Sequence, residues 1–121
     1  MEINLEKPQR YSIQGYSEQQ IQVAAETYTS SLIISKDKII EKWDVHALSD
    51  INAQTLAPIL DLNPEIIIIG HNHFNEHLPI PALQHVINHH IGIECMLLGP
   101  ACRTFNVLLA EDRHVVAGII L

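Results

Sequence analysis

The stretch Asn63-Pro64-Glu65-Ile66-Ile67-Ile68-Ile69-Gly70 decides how the rest of this sequence is read. Four consecutive isoleucines are stiff at χ1 and fit a pleated backbone. No polar residue interrupts them, so the run has no water-facing side. Such a strand belongs in a sheet covered on both faces. Asn63-Pro64 stops what precedes it, and Gly70 ends the run.

Reading outward toward the C-terminus, residues 71–79 form a polar loop, and Pro81 suits the first turn of a helix. Leu83, Val86, Ile87 and His90 are its expected buried face, with Gly92 just past its end. Ile93 to Leu98 reads as another strand. Gly99-Pro100 opens a third helix with Thr104, Val107 and Leu108 facing inward. Glu111-Asp112 is a turn, and Val115 to Leu121 is a last strand, either parallel or an antiparallel edge.

Reading outward toward the N-terminus, Ser49-Asp50 is the expected cap of a helix carrying Ile51, Leu56, Ile59 and Leu60, with Pro58 an awkward interior residue. Residues 31–43 and 9–25 each read as a hairpin, the first turning at Lys36-Asp37-Lys38 and the second at Gly15-Tyr16-Ser17-Glu18. Two hairpins followed by αβαβαβ predict an α/β fold. With 121 residues, one domain over 1–121 is expected.

Composition bounds the function. Hydrophobic residues are 47% and charged residues 17%, a globular balance. Seven Lys and Arg against fourteen Asp and Glu give a net charge of −7. That excludes a nucleic-acid binder, which needs clustered cations, and it discounts the nuclease-like letters His71-Asn72-His73. It equally excludes a polybasic membrane-surface module. The apolar runs are far short of the ~20 residues of a membrane span. Met1 to Pro8 has neither signal nor transit character. Two cysteines make no disulfide framework, so a cytoplasmic protein with reduced thiols is expected.

Eight histidines stand out. His71, His73 and His77, in the loop after the isoleucine strand, are metal-ligand candidates by spacing, with no neighbouring Cys or Asp to complete a familiar set, although Glu76 is close. His85 and His89 share a helix face but lack the Glu of a helical metalloprotease. These two, with His46 and His114, read as surface residues, and His90 lies near the helix C-terminus, where the dipole mildly favours its charged form. The segment Ala101-Cys102-Arg103-Thr104-Phe105-Asn106 is more informative. A helix starting at Pro100 leaves free N–H groups at Ala101 and Cys102, an anion-attracting end. Arg103 adds a cation. Cys102 there would be thiolate-prone, the one candidate catalytic nucleophile.

These blocks, Leu62 to Gly70, Gly92 to Met96 and Ala101 to Leu108, in this order, resemble a small uncharacterised-domain family. Its mitochondrial member is the NADH dehydrogenase (complex I) assembly factor 3, and the adipogenesis-associated Mth-domain protein belongs with it. The resemblance implies a three-layer α/β fold, a central mixed, mostly parallel sheet flanked by about three helices, and an additional small sheet from the N-terminal hairpins. It implies no established catalysis and no cofactor. Family members commonly carry Gly-Thr-Gly where Gly70-His71-Asn72 stands, and Asp-Thr where Leu97-Leu98-Gly99-Pro100 stands. Those losses weaken transfer of any enzymatic role.

The expected function is a non-enzymatic binding or assembly protein of bacterial type. Its ligand-binding residues would be Gly70, His71, Asn72, Arg103, Thr104 and Asn106. The partner would be a protein, in respiratory-chain or membrane-protein assembly, and the chain a monomer or homodimer. One alternative is a small-ligand binder or enzyme around Arg103 and Cys102. Another is a metal binder through His71, His73 and His77.

Overall fold

A computed structural model describes residues 11–121. The readings made on Met1 to Pro8 lie outside them. The isoleucine run is strand β6 (Ile66–His71), and from Ile67 onward it is buried on both faces. Asn63, two residues past the Asp61 C-cap of the preceding helix, turns the chain toward β6 with a left-handed φ of 53°, a conformation Asn tolerates.

The strands form two sheets. The first is antiparallel, β1 (Ile13–Ser17), β2 (Gln20–Val23) and β3 (Glu26–Tyr28) in that order. The first hairpin turns at Glu18-Gln19, later than the expected Gly15 to Glu18, and Tyr16 lies within β1. Strand β3 was not foreseen. The turn into it is Ala24-Ala25, both with positive φ, 52° and 66°. Such primed turns ordinarily announce themselves with Asn or Gly.

The main sheet runs β5-β4-β8-β6-β7, with β4 (Leu32–Ile34), β5 (Ile39–Ile40), β7 (Gly92–Leu97) and β8 (Val115–Ile119). The second hairpin, β4–β5, therefore extends the main sheet instead of joining the small one. Strand β8 pairs parallel to β6 and antiparallel to β4. It is an interior strand and not an edge, and all its residues are buried. Since β5 is antiparallel to β4, only β4 opposes the others in direction; the sheet is mixed, with two parallel and two antiparallel pairings where a mostly parallel sheet was expected.

Helices α1 (Ala53–Leu60) and α2 (Ile80–Asn88) cover one face, with Trp43, Val45, Leu48 and Ile51. Helix α3 (Leu98–Ala110) and the small sheet cover the other, through Phe105, Cys102, Ile13, Ile21 and Val23. The cap of α1 is Asn52, not Ser49-Asp50. Its Oδ1 accepts from the N–H of Gln54 and Thr55, and Thr55 Oγ1 accepts from the Asn52 N–H, a reciprocal cap. Ser49 and Asp50 belong to a separate 3-10 turn (Leu48–Asp50).

The inward faces of α2 and α3 differ from those expected. Helix α2 buries Ala82 and Val86, leaving Leu83 and Ile87 outside and His90 exposed. His90, with φ 60°, takes the left-handed terminal position expected of Gly92, which opens β7. Helix α3 starts at Leu98 and buries Leu98, Ala101, Cys102, Phe105 and Leu109, with Val107 exposed and Thr104 and Leu108 half-buried. In segments this rich in aliphatic residues, small residues decide the face, because Ala82 and Ala101 let the helix axis approach the sheet.

Two glycines set those approaches. A Cβ on Gly70 would lie 2.7 Å from Ala101 Cβ, and one on Gly118 would lie 2.7 Å from the Trp43 ring. Trp43 cannot easily retreat, because its Nε1 donates to the Thr55 carbonyl at 2.8 Å. Gly118→Ala should therefore cost about 1–3 kcal/mol by overpacking, read as a lower urea midpoint. Gly92→Ala, whose Cβ meets nothing closer than 3.7 Å, should shift stability by less than about 0.5 kcal/mol.

Candidate functional site

The loop after β6, the start of α3 and the tip of the first hairpin meet at one end of the main sheet. Asn72 Nδ2 donates to the Glu18 carbonyl at 2.6 Å. Arg103 Nη1 donates to the Tyr16 hydroxyl at 2.7 Å. Gly99 leaves room for this pair: a Cβ there would stand 3.2 Å from the Tyr16 hydroxyl and 3.3 Å from Arg103 Nη1. The hairpin thus closes over the region that the sequence marks as a cleft. Among the described residues no carboxylate pairs with Arg103, whereas Arg113 and Lys36 are paired with Glu65 and Asp112. Arg103 is exposed and lies well inside α3, because that helix begins at Leu98, earlier than the expected Pro100. Its charge acts as a side chain on a helix surface and not as part of a helix terminus.

The other expected site residues divide by role. Gly70 admits Ala101 of α3, so the space beside it is filled by the protein's own core. Asn106 binds the backbone of β1 twice: Oδ1 accepts from the Ile13 N–H at 2.7 Å, and Nδ2 donates to the Ile13 carbonyl at 2.8 Å. Half-buried, this amide replaces a neighbouring strand and fixes the small sheet to α3. Thr104 is half-buried on the same helix. His71 is buried at the end of β6, and strand alternation puts its ring on the side of Ile67 and Ile69, facing α1 and α2. It therefore points away from Arg103. Tyr16 was missed as a site residue because the sequence places it in a turn.

Cys102 is buried, and burial pushes its thiol up to about 12, with Arg103 only partly opposing. The expected thiolate does not form there. A position inside a packed helix face outweighs proximity to a helix start. The loop histidines do not converge either. His71 Nδ1 accepts from the His73 backbone N–H at 3.1 Å, while the His73 ring turns to Glu76 at 3.4 Å. Among the described residues no group of three or more His, Cys, Asp or Glu is placed to hold a metal ion. What remains at this end is a polar, exposed rim of Tyr16, Asn72 and Arg103, with groups able to bind a carboxylate or a hydrogen-bonding surface.

Comparison with known proteins agrees with the order of elements. The profile of a family described as "Protein of unknown function (DUF498/DUF598)" matches residues 13–120. The chain belongs to this family. Among curated proteins, the "13 kDa major membrane protein" of Francisella tularensis is 31% identical over 77% of this chain and 76% of its own length. The Drosophila melanogaster NADH dehydrogenase [ubiquinone] 1 alpha subcomplex assembly factor 3 is 29% identical over 89% of this chain. This chain spans 57% of that protein's length. An NMR structure from Xanthomonas campestris superimposes with a TM-score of 0.84 at 28% identity, covering 99% of this chain and 92% of the other. A Bordetella pertussis Mth938-like domain has the same fold, with a TM-score of 0.81 at 19% identity, covering 99% and 92%. No helix among the described residues is long and apolar enough to cross a membrane.

Two measurements check this geometry. Asn106→Asp keeps the acceptor but loses the donor to Ile13, and should lower unfolding free energy by about 1–3 kcal/mol. Burial, reinforced by the nearby His73 charge and opposed by Glu76, holds His71 below its ordinary 6.5. The unfolded chain then takes the proton more readily. His71 contributes stability above pH 6.5, lost as pH falls from there toward its lower folded value. The urea midpoint of His71→Gln should accordingly fall less than the parent's between about pH 7 and pH 5.

Proposed function

We propose that this chain is a non-enzymatic binding protein that assists assembly of a larger protein complex, using the rim of Tyr16, Asn72 and Arg103 to engage a carboxylate-bearing partner surface. The observation that carries this reading is the state of the rim: an exposed guanidinium without a carboxylate partner among the described residues, beside a cysteine too buried and too weakly acidic to act as a nucleophile. Kinship with proteins named as complex I assembly factors supports it. An unpaired surface arginine contributes little to the fold, since exposed ion pairs are weak. It can contribute strongly at an interface, where arginine is over-represented among the residues that dominate binding.

The test is affinity purification of the tagged chain from its native host, with quantitative mass spectrometry, in parallel with Arg103→Glu. The parent should retain a defined set of proteins, and the variant, with unchanged circular dichroism, should lose it by at least about tenfold. Recovery of no specific protein by the parent, or of the same set by both, would overturn the proposal.

A further inference from the structure

The face that α2 and β7 build together is independent of the Arg103 rim. From Leu78 to Cys102 the sequence holds a single charged residue, Glu94, histidines aside, in a chain that is 17% charged. On α2, Ile80 is 68% exposed, Leu83 36% and Ile87 54%. Each of Leu83 and Ile87 follows a buried residue, Ala82 or Val86, by one position. The stripe therefore sits about 100° around the helix from its buried line. In the right-handed crossover that β-α-β units take, this flank turns toward the outgoing strand, β7. Strand β7 ends the sheet order, so its outer edge is unpaired among the described residues.

That edge has a definite pattern. The Gly92 N–H donates inward to the Glu65 carbonyl at 3.1 Å. Alternation then turns the backbone N–H and C=O groups of Ile93, Cys95 and Leu97 outward. Ile93 packs with the α1–α2 side of the core, so the side chains of Cys95 and Leu97 lie on that face, the face of the α2 stripe. Met96 packs on the opposite face, and Glu94 shares it.

We infer that this face joins a second copy of the chain, β7 to β7 in antiparallel register about a two-fold axis through Cys95. In that register Ile93 meets Leu97 of the second copy, and Cys95 meets itself. Glu94 meets Met96, so the two glutamates never stand opposite each other. A register centred on Glu94 would force them together, at a cost. The paired edges exchange about six backbone hydrogen bonds. An axis normal to the sheet keeps both α2 helices on one face, where their Ile80, Leu83 and Ile87 stripes abut. Two molecules of net charge −7 repel, so they associate at least cost where charge is absent. Depletion of charge is also the compositional mark of an interface core. The assembly is a continuous ten-stranded sheet, closed by its two-fold symmetry.

Sedimentation equilibrium and cross-linking test this. At about 50 μM the chain should sediment as a dimer, in the range expected for a modest interface. A short bismaleimide should join Cys95 to Cys95, since opposed Cα atoms in a hydrogen-bonded pair lie about 5.5 Å apart. Cys102 is buried and should not react. Cys95→Ser should abolish the cross-link without abolishing the dimer. Ile87→Lys, at an exposed position, should weaken association by at least about tenfold. Cys95→Pro removes an N–H that β6 does not use and should do the same. A monomer at every concentration, or a dimer that survives Ile87→Lys, overturns the inference. A dimer that survives Cys95→Pro overturns the strand pairing.

Discussion

Helix α3 lies where it does because Gly70 has no side chain. The gap beside that glycine receives Ala101, and a Cβ on Gly70 would stand 2.7 Å from that residue. On the neighbouring strand Gly118 makes the corresponding gap on the opposite face, filled by the Trp43 ring. Ile69 pairs with Gly118 in the sheet, so the two gaps sit side by side at its centre. Everything on the α3 side then follows in sequence. The helix depth sets where Asn106 stands, Asn106 holds Ile13, and Ile13 places the hairpin that carries Tyr16 to Arg103. Close packing transmits such constraints because interiors have little spare volume.

The strands were the most legible part of the chain, because a run such as Ile66 to Ile69 has one physical use. Among the features that escaped, three show why. The Ala24-Ala25 turn carries no residue that favours positive φ, so β3 stayed hidden behind it. The faces of α2 and α3 were misread because Leu83, Ile87 and Val107 are as apolar as the residues that are buried. Size decided the matter, and size is judged against a partner surface that a single sequence does not display. The interior place of β8 depends on β4, far away in the chain, and local pattern says nothing of it.

The candidate site was legible in position more than in role. Asn72 and Arg103 each reach the first hairpin, at Glu18 and Tyr16, residues far earlier in the chain. Neighbours in sequence were separated by the strand itself: alternation sends the His71 ring to the α2 side. Asn106, which reads as a polar residue beside a cleft, spends both amide groups on a backbone. The proteins this chain is similar to carry differing names, including an assembly factor and proteins named for membranes.

The interior position of β8 bears on how the chain is made. Strands β4 and β6 flank it on either side, and a ribosome delivers both before it delivers β8. Until then the two are neither neighbours nor partners, and each has an open edge where β8 belongs. The sheet cannot close progressively during synthesis and must wait for its last strand to be inserted. Such non-local pairing folds slowly and leaves apolar strand edges bare meanwhile. The newborn chain therefore carries two open strand edges, on β4 and β6, for an interval that a fold with its central strands made first would avoid.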